Sequence, residues 1–303
     1  MRQFANTAPL PTGPRAAAAV LAAALLAGCG TQTAQQARSD GPATASASAR
    51  PCAAPRWPAD GGAQGGVRIA STGAACAEYE VTNTGGEPAD VTVAFSLLSA
   101  AGEAMDTVTR TLPAIAPGAS AKDRIDPPAG SRERVGAGWR VKIITVRSVP
   151  TSEAPAPAGP CPPSGLRLWA DEGDAAMGLR VVGLHLRNCG TAAVTLDGYP
   201  QLQLLDLEHR PVDGVSVLRG GAAIATGTGA DDPPQQIALR PGEGARSTLV
   251  WRNTTGAGEA VNAPYVRVRA TPDAAPVTVT PDLDLGTTGR LGVGAWVREN
   301  GAS

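Results

Sequence analysis

The chain has 303 residues but only two histidines, three methionines and two phenylalanines, and its aromatic content is 3%. So few imidazoles and thioethers exclude most chemistry built on histidine bases or on clusters of soft metal ligands. Lysine is nearly absent as well. Lys122 and Lys142 are the only two, and every other base is arginine, the coding bias of a high-GC genome. The 26 basic residues balance 27 acidic ones and gather into no basic face, which argues against nucleic-acid binding. What is present is 37 glycines, 27 prolines and a hydrophobic content of 43%. That content suffices for folded cores, and the turn-formers break it into many short elements rather than long helices. The length allows two ordinary domains.

Arg2 and Arg15 carry the only charges in the first 28 residues and precede an apolar run from Ala16 to Ala27. Such a run is too short to cross a bilayer, which needs about 20 residues. A basic start, a short apolar stretch and small residues after it form the pattern of a secretory signal. Leu26-Ala27-Gly28-Cys29 closes it, and this element resembles the lipobox of bacterial lipoproteins. The resemblance implies cleavage after residue 28 and diacylglyceryl transfer to the Cys29 thiol, which would hold the chain on the outer face of the cytoplasmic membrane. Residues 29–50 are small and polar with no large apolar side chain, so they read as a disordered tether.

With Cys29 assigned to lipid, Cys52, Cys76, Cys161 and Cys189 remain for an oxidising compartment. Local pairing, Cys52 with Cys76 and Cys161 with Cys189, puts one bridge in each candidate domain. Each bridge closes a loop of roughly 25 to 30 residues, worth about 3–4 kcal/mol on a chain-entropy estimate. A four-cysteine metal site would want a Cys-x-x-Cys knuckle, and none occurs.

Residues 51–149 read as a first β domain. Val91, Val93, Phe95 and Leu97 alternate with polar or small neighbours, and Trp139, Val141 and Ile143 alternate with Arg140 and Lys142. Residues 150–160 form a proline-rich linker that should act as a stiff spacer. Residues 161–298 read as a second β domain, with alternation at Leu184/Leu186, Leu202/Leu204, Leu249/Trp251 and Val266/Val268. The two halves share a pattern. Asn83-Thr84-Gly85 and Asn188-Cys189-Gly190 end a strand, each precedes a Val-Thr strand, and each half later has a Pro-Gly turn, Pro117-Gly118 and Pro241-Gly242. The economical reading is all-β, two immunoglobulin-like β-sandwich domains behind a lipoprotein signal peptide and a tether.

The second domain carries more particular residues. Arg187-Asn188-Cys189-Gly190 with Leu196-Asp197-Gly198-Tyr199-Pro200, then Leu249-Val250-Trp251-Arg252-Asn253-Thr254, then Leu283-Asp284-Leu285-Gly286-Thr287-Thr288-Gly289-Arg290-Leu291-Gly292-Val293 follow one another along the chain. Together they resemble the actinobacterial secreted family catalogued as domain of unknown function 4232. The resemblance implies a β-sandwich on exported proteins and no established activity, so it carries over no catalytic residue, metal or cofactor. Gly198-Tyr199-Pro200 reads as a strand entry whose Tyr199 ring is buried.

Candidate chemistry is sparse. His185 and His209 have no Gly-x-Ser-x-Gly elbow and no acidic residue recognisably placed to orient them, so both read as solvent-exposed structural residues. Met105 and Met177 are isolated, unlike a copper site. Asp171, Glu172 and Asp174 could offer oxygens to calcium if Asp231 and Asp232 came near, though the spacing is not an EF-hand and a solvated acidic loop is the plainer reading. Trp57, Trp139, Trp169, Trp251 and Trp296 fit core positions better than an exposed row for stacking on sugars. The sequence therefore predicts a non-enzymatic, membrane-anchored interaction module that binds an envelope protein or polymer. The alternative is a binder of a small ligand or glycan between its two domains.

Overall fold

The computed structural model describes residue 52 and residues 62–73, 75–130 and 138–299. The segments expected to be a signal peptide and a tether, with Cys29, and also Trp57, lie outside the described residues. Everything described belongs to one compact unit. It is all-β: the described residues hold strands and a single 3-10 turn, Thr151–Glu153.

In the first half the strands are β1 (Ala63–Gln64), β2 (Val67–Thr72), β3 (Ala77–Thr82), β4 (Ala89–Leu98), β5 (Ala104–Ile115), β6 (Ser120–Ile125) and β7 (Arg140–Pro150). They form two sheets, β1-β2-β3-β6 and β5-β4-β7. The expected alternation sets the layers. Val91, Val93, Phe95 and Leu97 of β4 point at Val67, Ile69, Tyr79 and Val81 from the other sheet, and Trp139, Val141 and Ile143 close the same core.

In the second half the strands are β8 (Leu166–Ala170), β9 (Asp174–Ala176), β10 (Leu179–Asn188), β11 (Val194–Asp197), β12 (Gln201–Leu205), β13 (Ser216–Arg219) and β14 (Gln236–Leu239). They continue with β15 (Gly244–Arg252), β16 (Asn262–Ala263), β17 (Tyr265–Arg269), β18 (Val277–Val279), β19 (Leu283–Asp284), β20 (Arg290–Val293) and β21 (Val297–Arg298). A seven-stranded sheet, β13-β20-β15-β10-β8 with β21 and β9 alongside, faces the smaller sheets β11-β14 and β12-β17-β18. Leu184, Leu186, Leu249, Trp251, Val266, Val268, Leu291 and Trp296 share the core between them.

The repeat expected from sequence is physical. Asn83 sends its amide hydrogens to the carbonyls of Glu87 and Ile115, and its Oδ1 accepts the Gly85 N–H. Asn188 does the same with Ala192, Leu239 and Gly190. In both halves the asparagine carbonyl then accepts the N–H of the Pro-Gly turn glycine, Gly118 or Gly242. Both glycines have positive φ, +70° and +86°, at the third position of a turn that closes from Ala119 to Ala116 and from Glu243 to Arg240. Each asparagine therefore ties three segments at a sheet corner, and both are buried.

The halves differ where Gly198-Tyr199-Pro200 falls. In the first half, unbroken β4 pairs with both β5 and β7. In the second, its counterpart is cut in two, so β11 pairs with β14 and β12 with β17. Gly198 takes φ +68° at the break, and its carbonyl accepts the Trp296 N–H at 2.7 Å. The strand entry is as expected, but the ring is not buried. Tyr199 is half-exposed with the Arg219 guanidinium 5.6 Å from its ring centroid. A proline at the strand start leaves the chain turning outward, and the core place beside it goes to Pro200 and Trp296.

Both disulfides form in the local pairing, Cys52–Cys76 and Cys161–Cys189. The first residues of the segment expected to act as a spacer, 150–153, make contacts with both halves. Pro150 still belongs to β7, Thr151 donates to Asp90, and Glu153 reaches across to Arg267 and Thr278.

Candidate functional site

The contacts between the two halves build the most developed polar site. Ser148, near the end of β7, is held at both backbone groups by side chains of the second half. Its N–H donates to the Tyr265 hydroxyl at 3.1 Å, and its carbonyl accepts from His209 Nε2 at 2.8 Å. The His209 ring stacks on Tyr265 with centroids 4.4 Å apart. Val149, Leu205 and Tyr265 form a small buried cluster across the junction. Arg147 pairs with Asp282 through Nε at 2.7 Å, and Arg267 grips Glu153 with Nε and Nη2.

His209 is placed by its own turn. Asp206 accepts the N–H groups of Glu208 and Arg210 and the Arg210 guanidinium. The Arg210 backbone N–H holds the Asp206 carboxyl below its ordinary range, helped by the Arg210 side chain against a smaller opposing effect of desolvation. The residue after such a turn takes a left-handed conformation that usually selects glycine. His209 stands there at φ +59°, and Asp282 at +51°. A side chain in that region costs roughly 1–2 kcal/mol. Two of the four non-glycine residues with positive φ among those described thus hold the junction, where glycine could supply neither imidazole nor carboxylate.

Beside this junction lies an open cleft of about 330 Å³, with Gly85, Gly86, Glu87 and Ala89 on one wall and Gln203, Leu205, His209 and Arg267 on the other. Its size is at the low end for ligand sites, roughly 300–1,000 Å³. Glu153 and Arg267 neutralise one another inside it. Among the described residues the side chains of Glu87 and Gln203 have no hydrogen-bond partner, and Arg267 binds Glu153 through Nε and Nη2, leaving Nη1. Burial pushes the Tyr265 hydroxyl upward, outweighing the Ser148 hydrogen bond and the Arg147 charge, so it stays a neutral phenol. The junction should hold the two halves as one cooperative unit. Replacing Tyr265 by Ala removes the buried ring and the Ser148 partner, an expected loss of roughly 3 kcal/mol. Calorimetry should then show the single unfolding transition split in two, and an unsplit, unshifted transition would refute the coupling.

The remaining candidates resolve as follows. His185 does have acidic neighbours, which its sequence context did not reveal. Nδ1 lies 2.6 Å from Glu299 Oε1 and Nε2 lies 3.2 Å from Asp171 Oδ2, and the ring stacks on Trp169 at 5.2 Å. Both nitrogens are occupied and the ring is half-buried, so it ties the C-terminal strand to the β8–β9 turn rather than facing a substrate. Glycine is needed beneath: a Cβ on Gly183 would stand 2.3 Å from Asp171 Oδ2. Asp171 also accepts the N–H groups of Gly173 and Gly183. Asp231 accepts those of Gly221 and Ala222, stapling the loop that covers the outer face of β15. These acids are spent on separate loops, and the described residues contain no group of three or more His, Cys, Asp or Glu side chains that could hold a metal ion. Trp139, Trp251 and Trp296 are core, and Trp169 lies half-buried under His185.

The residues that carried the resemblance form a knot. Asp284 accepts Trp251 Nε1 at 2.7 Å, Asn253 Nδ2 at 2.6 Å and Arg180 Nη2 at 3.2 Å. Burial alone would raise its carboxyl. The hydrogen bonds from Asn253 and Trp251 and the Arg180 charge outweigh that, leaving it below the ordinary range. Trp251, Asn253 and Asp284 of the signature thus hold one another.

Comparison with solved structures finds a putative beta-galactosidase from Bacteroides fragilis at 14% identity and TM-score 0.25, covering 75% of this chain and 33% of that one. It also finds red sea bream transglutaminase at 11% identity and TM-score 0.19, covering 76% and 29%. The chain thus spans about a third of the length of either, and at these scores neither likeness bears on fold or function. No curated protein matches. Residues 161–297, the half that holds the Asp284 knot and the Gly-Tyr-Pro break, match the family described as Domain of unknown function (DUF4232).

Proposed function

We propose that this chain is an exported lipoprotein, anchored through Cys29 to the outer face of the cytoplasmic membrane, whose two immunoglobulin-like modules act together as a non-enzymatic binding unit. Its ligand is a small molecule or a segment of an envelope polymer held in the cleft between them. One observation carries this reading: beside the junction lies an open cleft of about 330 Å³ lined from both halves, into which the side chains of Glu87 and Gln203 bring polar groups with no hydrogen-bond partner among the described residues. The alternation of buried residues in two facing sheets per half supports the immunoglobulin-like assignment. Leu26-Ala27-Gly28-Cys29 supports the anchor. A protein partner bound elsewhere on the surface is the second reading, favoured by the β9–β10 hairpin tip, where Met177 is 98% exposed at φ +45°.

Both parts can be tested on the full chain. Wild type should sediment with membranes, and the Cys29→Ser chain should not. The Cys29→Ser chain should then retain envelope material, and Gly86→Trp in the same chain should lose at least ninetenths of it. Gly86 lines the cleft and a Cβ there meets nothing within 4 Å, so a tryptophan has room at its base and is expected to obstruct the cleft. Retention unchanged by Gly86→Trp would place the binding surface elsewhere.

A further inference from the structure

The polar groups left over in the cleft point to a ligand class. The inference rests on the proposed cleft site and concerns what fills it. Among the described residues, the lining side chains that no protein group satisfies include the Glu87 carboxylate and the Ser148 hydroxyl from the first half and the Gln203 amide from the second. A carboxylate offers acceptors only, an amide offers both donors and an acceptor, and the free Arg267 Nη1 adds donors. His209 Nε2 must carry the proton it donates to the Ser148 carbonyl, so in its neutral form Nδ1 is an acceptor. The cleft therefore offers both donors and acceptors. Ala89 and Leu205 add an apolar side chain to either wall.

Charge narrows the class further. Glu153 is spent on Arg267 and Thr278, and Arg267 is spent on Glu153. Glu87 is then the one unneutralised charge of the lining, and it would repel a phosphate or carboxylate. Among the described residues that line the cleft, no arginine or lysine is without a carboxylate partner to receive an anion. A hydroxyl both donates and accepts, and a ring bearing several hydroxyls has C–H faces suited to Leu205 and Ala89. We infer that the cleft takes a neutral saccharide, one or two sugar rings of an uncharged polymer or glycan, with Glu87 and Gln203 accepting and donating to its hydroxyls.

Calorimetric titration of the full-length Cys29→Ser chain tests this. The probes are neutral oligosaccharides of glucose, mannose, galactose and arabinose, with uronate-bearing and phosphate-bearing counterparts. At least one neutral oligosaccharide should bind, and the acidic counterpart of the same sugar should bind at least fivefold more weakly. Loss of a hydrogen bond to a charged acceptor should make Glu87→Gln weaken binding roughly 10-fold or more. Gln203→Ala should weaken it less, and Gly86→Trp should abolish it. Both Glu87 and Gln203 are exposed, so neither replacement should change the unfolding temperature. Preference for the acidic probes, or no saccharide bound while envelope material is still retained and displaced by Gly86→Trp, would overturn the saccharide class and leave the cleft as the site. Saccharide binding that survives Gly86→Trp would overturn both.

Discussion

Asn188→Ala should destabilise the fold by roughly 3 kcal/mol, lowering the melting temperature of its single transition by about 6–12 °C in calorimetry. The side chain is fully buried and makes three hydrogen bonds, two donated and one accepted. Alanine would leave the Ala192 and Leu239 carbonyls and the Gly190 N–H without partners in a place water does not reach, and an unmet buried polar group costs about 1–3 kcal/mol. The loss is less than three such terms, because the corner can relax and admit water. Asn83→Ala should cost a similar amount in the first half, since its three bonds match one for one. Asn188→Asp should also destabilise, as a carboxylate cannot donate to two carbonyls. A loss under about 1 kcal/mol at both positions would show that the repeated corner is incidental to stability.

The second large effect is expected at Asp284. Removing its carboxylate in Asp284→Ala leaves Trp251 Nε1 and Asn253 Nδ2 unpaired and Arg180 without its counter-charge. About 2–3 kcal/mol should be lost, less than for a fully buried pair because the side chains of Arg180 and Asp284 are about a third exposed. The pH dependence follows from the lowered carboxyl. A carboxylate favoured by folding stabilises the fold fully above its unfolded pKa, near 3.9, and that contribution disappears as pH falls through the lower folded value. Wild type should therefore lose stability more steeply than Asp284→Asn below about pH 5, and the two should run parallel above it. Asp206 and Glu243, also lowered, titrate in the same range but are common to both proteins, so the difference isolates Asp284. Parallel curves down to pH 2 would mean that the knot does not depend on the charge.

Residue pattern alone sufficed for the strands. In β4 and β7 an alternating row of apolar side chains can be satisfied only by one wet and one dry face, so Val91, Phe95 and Ile143 point where their spacing says. The two disulfides and the duplicated Asn-x-Gly and Pro-Gly corners were legible for the same reason. They depend on residues near one another in sequence or on chemistry peculiar to one residue type.

What lay beyond the sequence depends on partners far apart in the chain. Glu299 meets His185 across 114 positions, Arg147 meets Asp282 across 135, and Glu153 reaches Arg267 across 114. No local spacing marks those pairs, so His185 looked free and the proline-rich segment looked like a spacer. Tyr199 looked buried because an aromatic beside a proline commonly enters a core, and only the packing of Trp296 behind Gly198 shows that the place is taken. The sequence by itself determined an all-β chain with two local bridges, because alternation and cysteine chemistry act over short range. The junction, the cleft beside it and the strained His209 that lines it were decided by tertiary structure. Long-range pairing brings two surfaces together, and only then does a left-handed histidine have a carbonyl to hold.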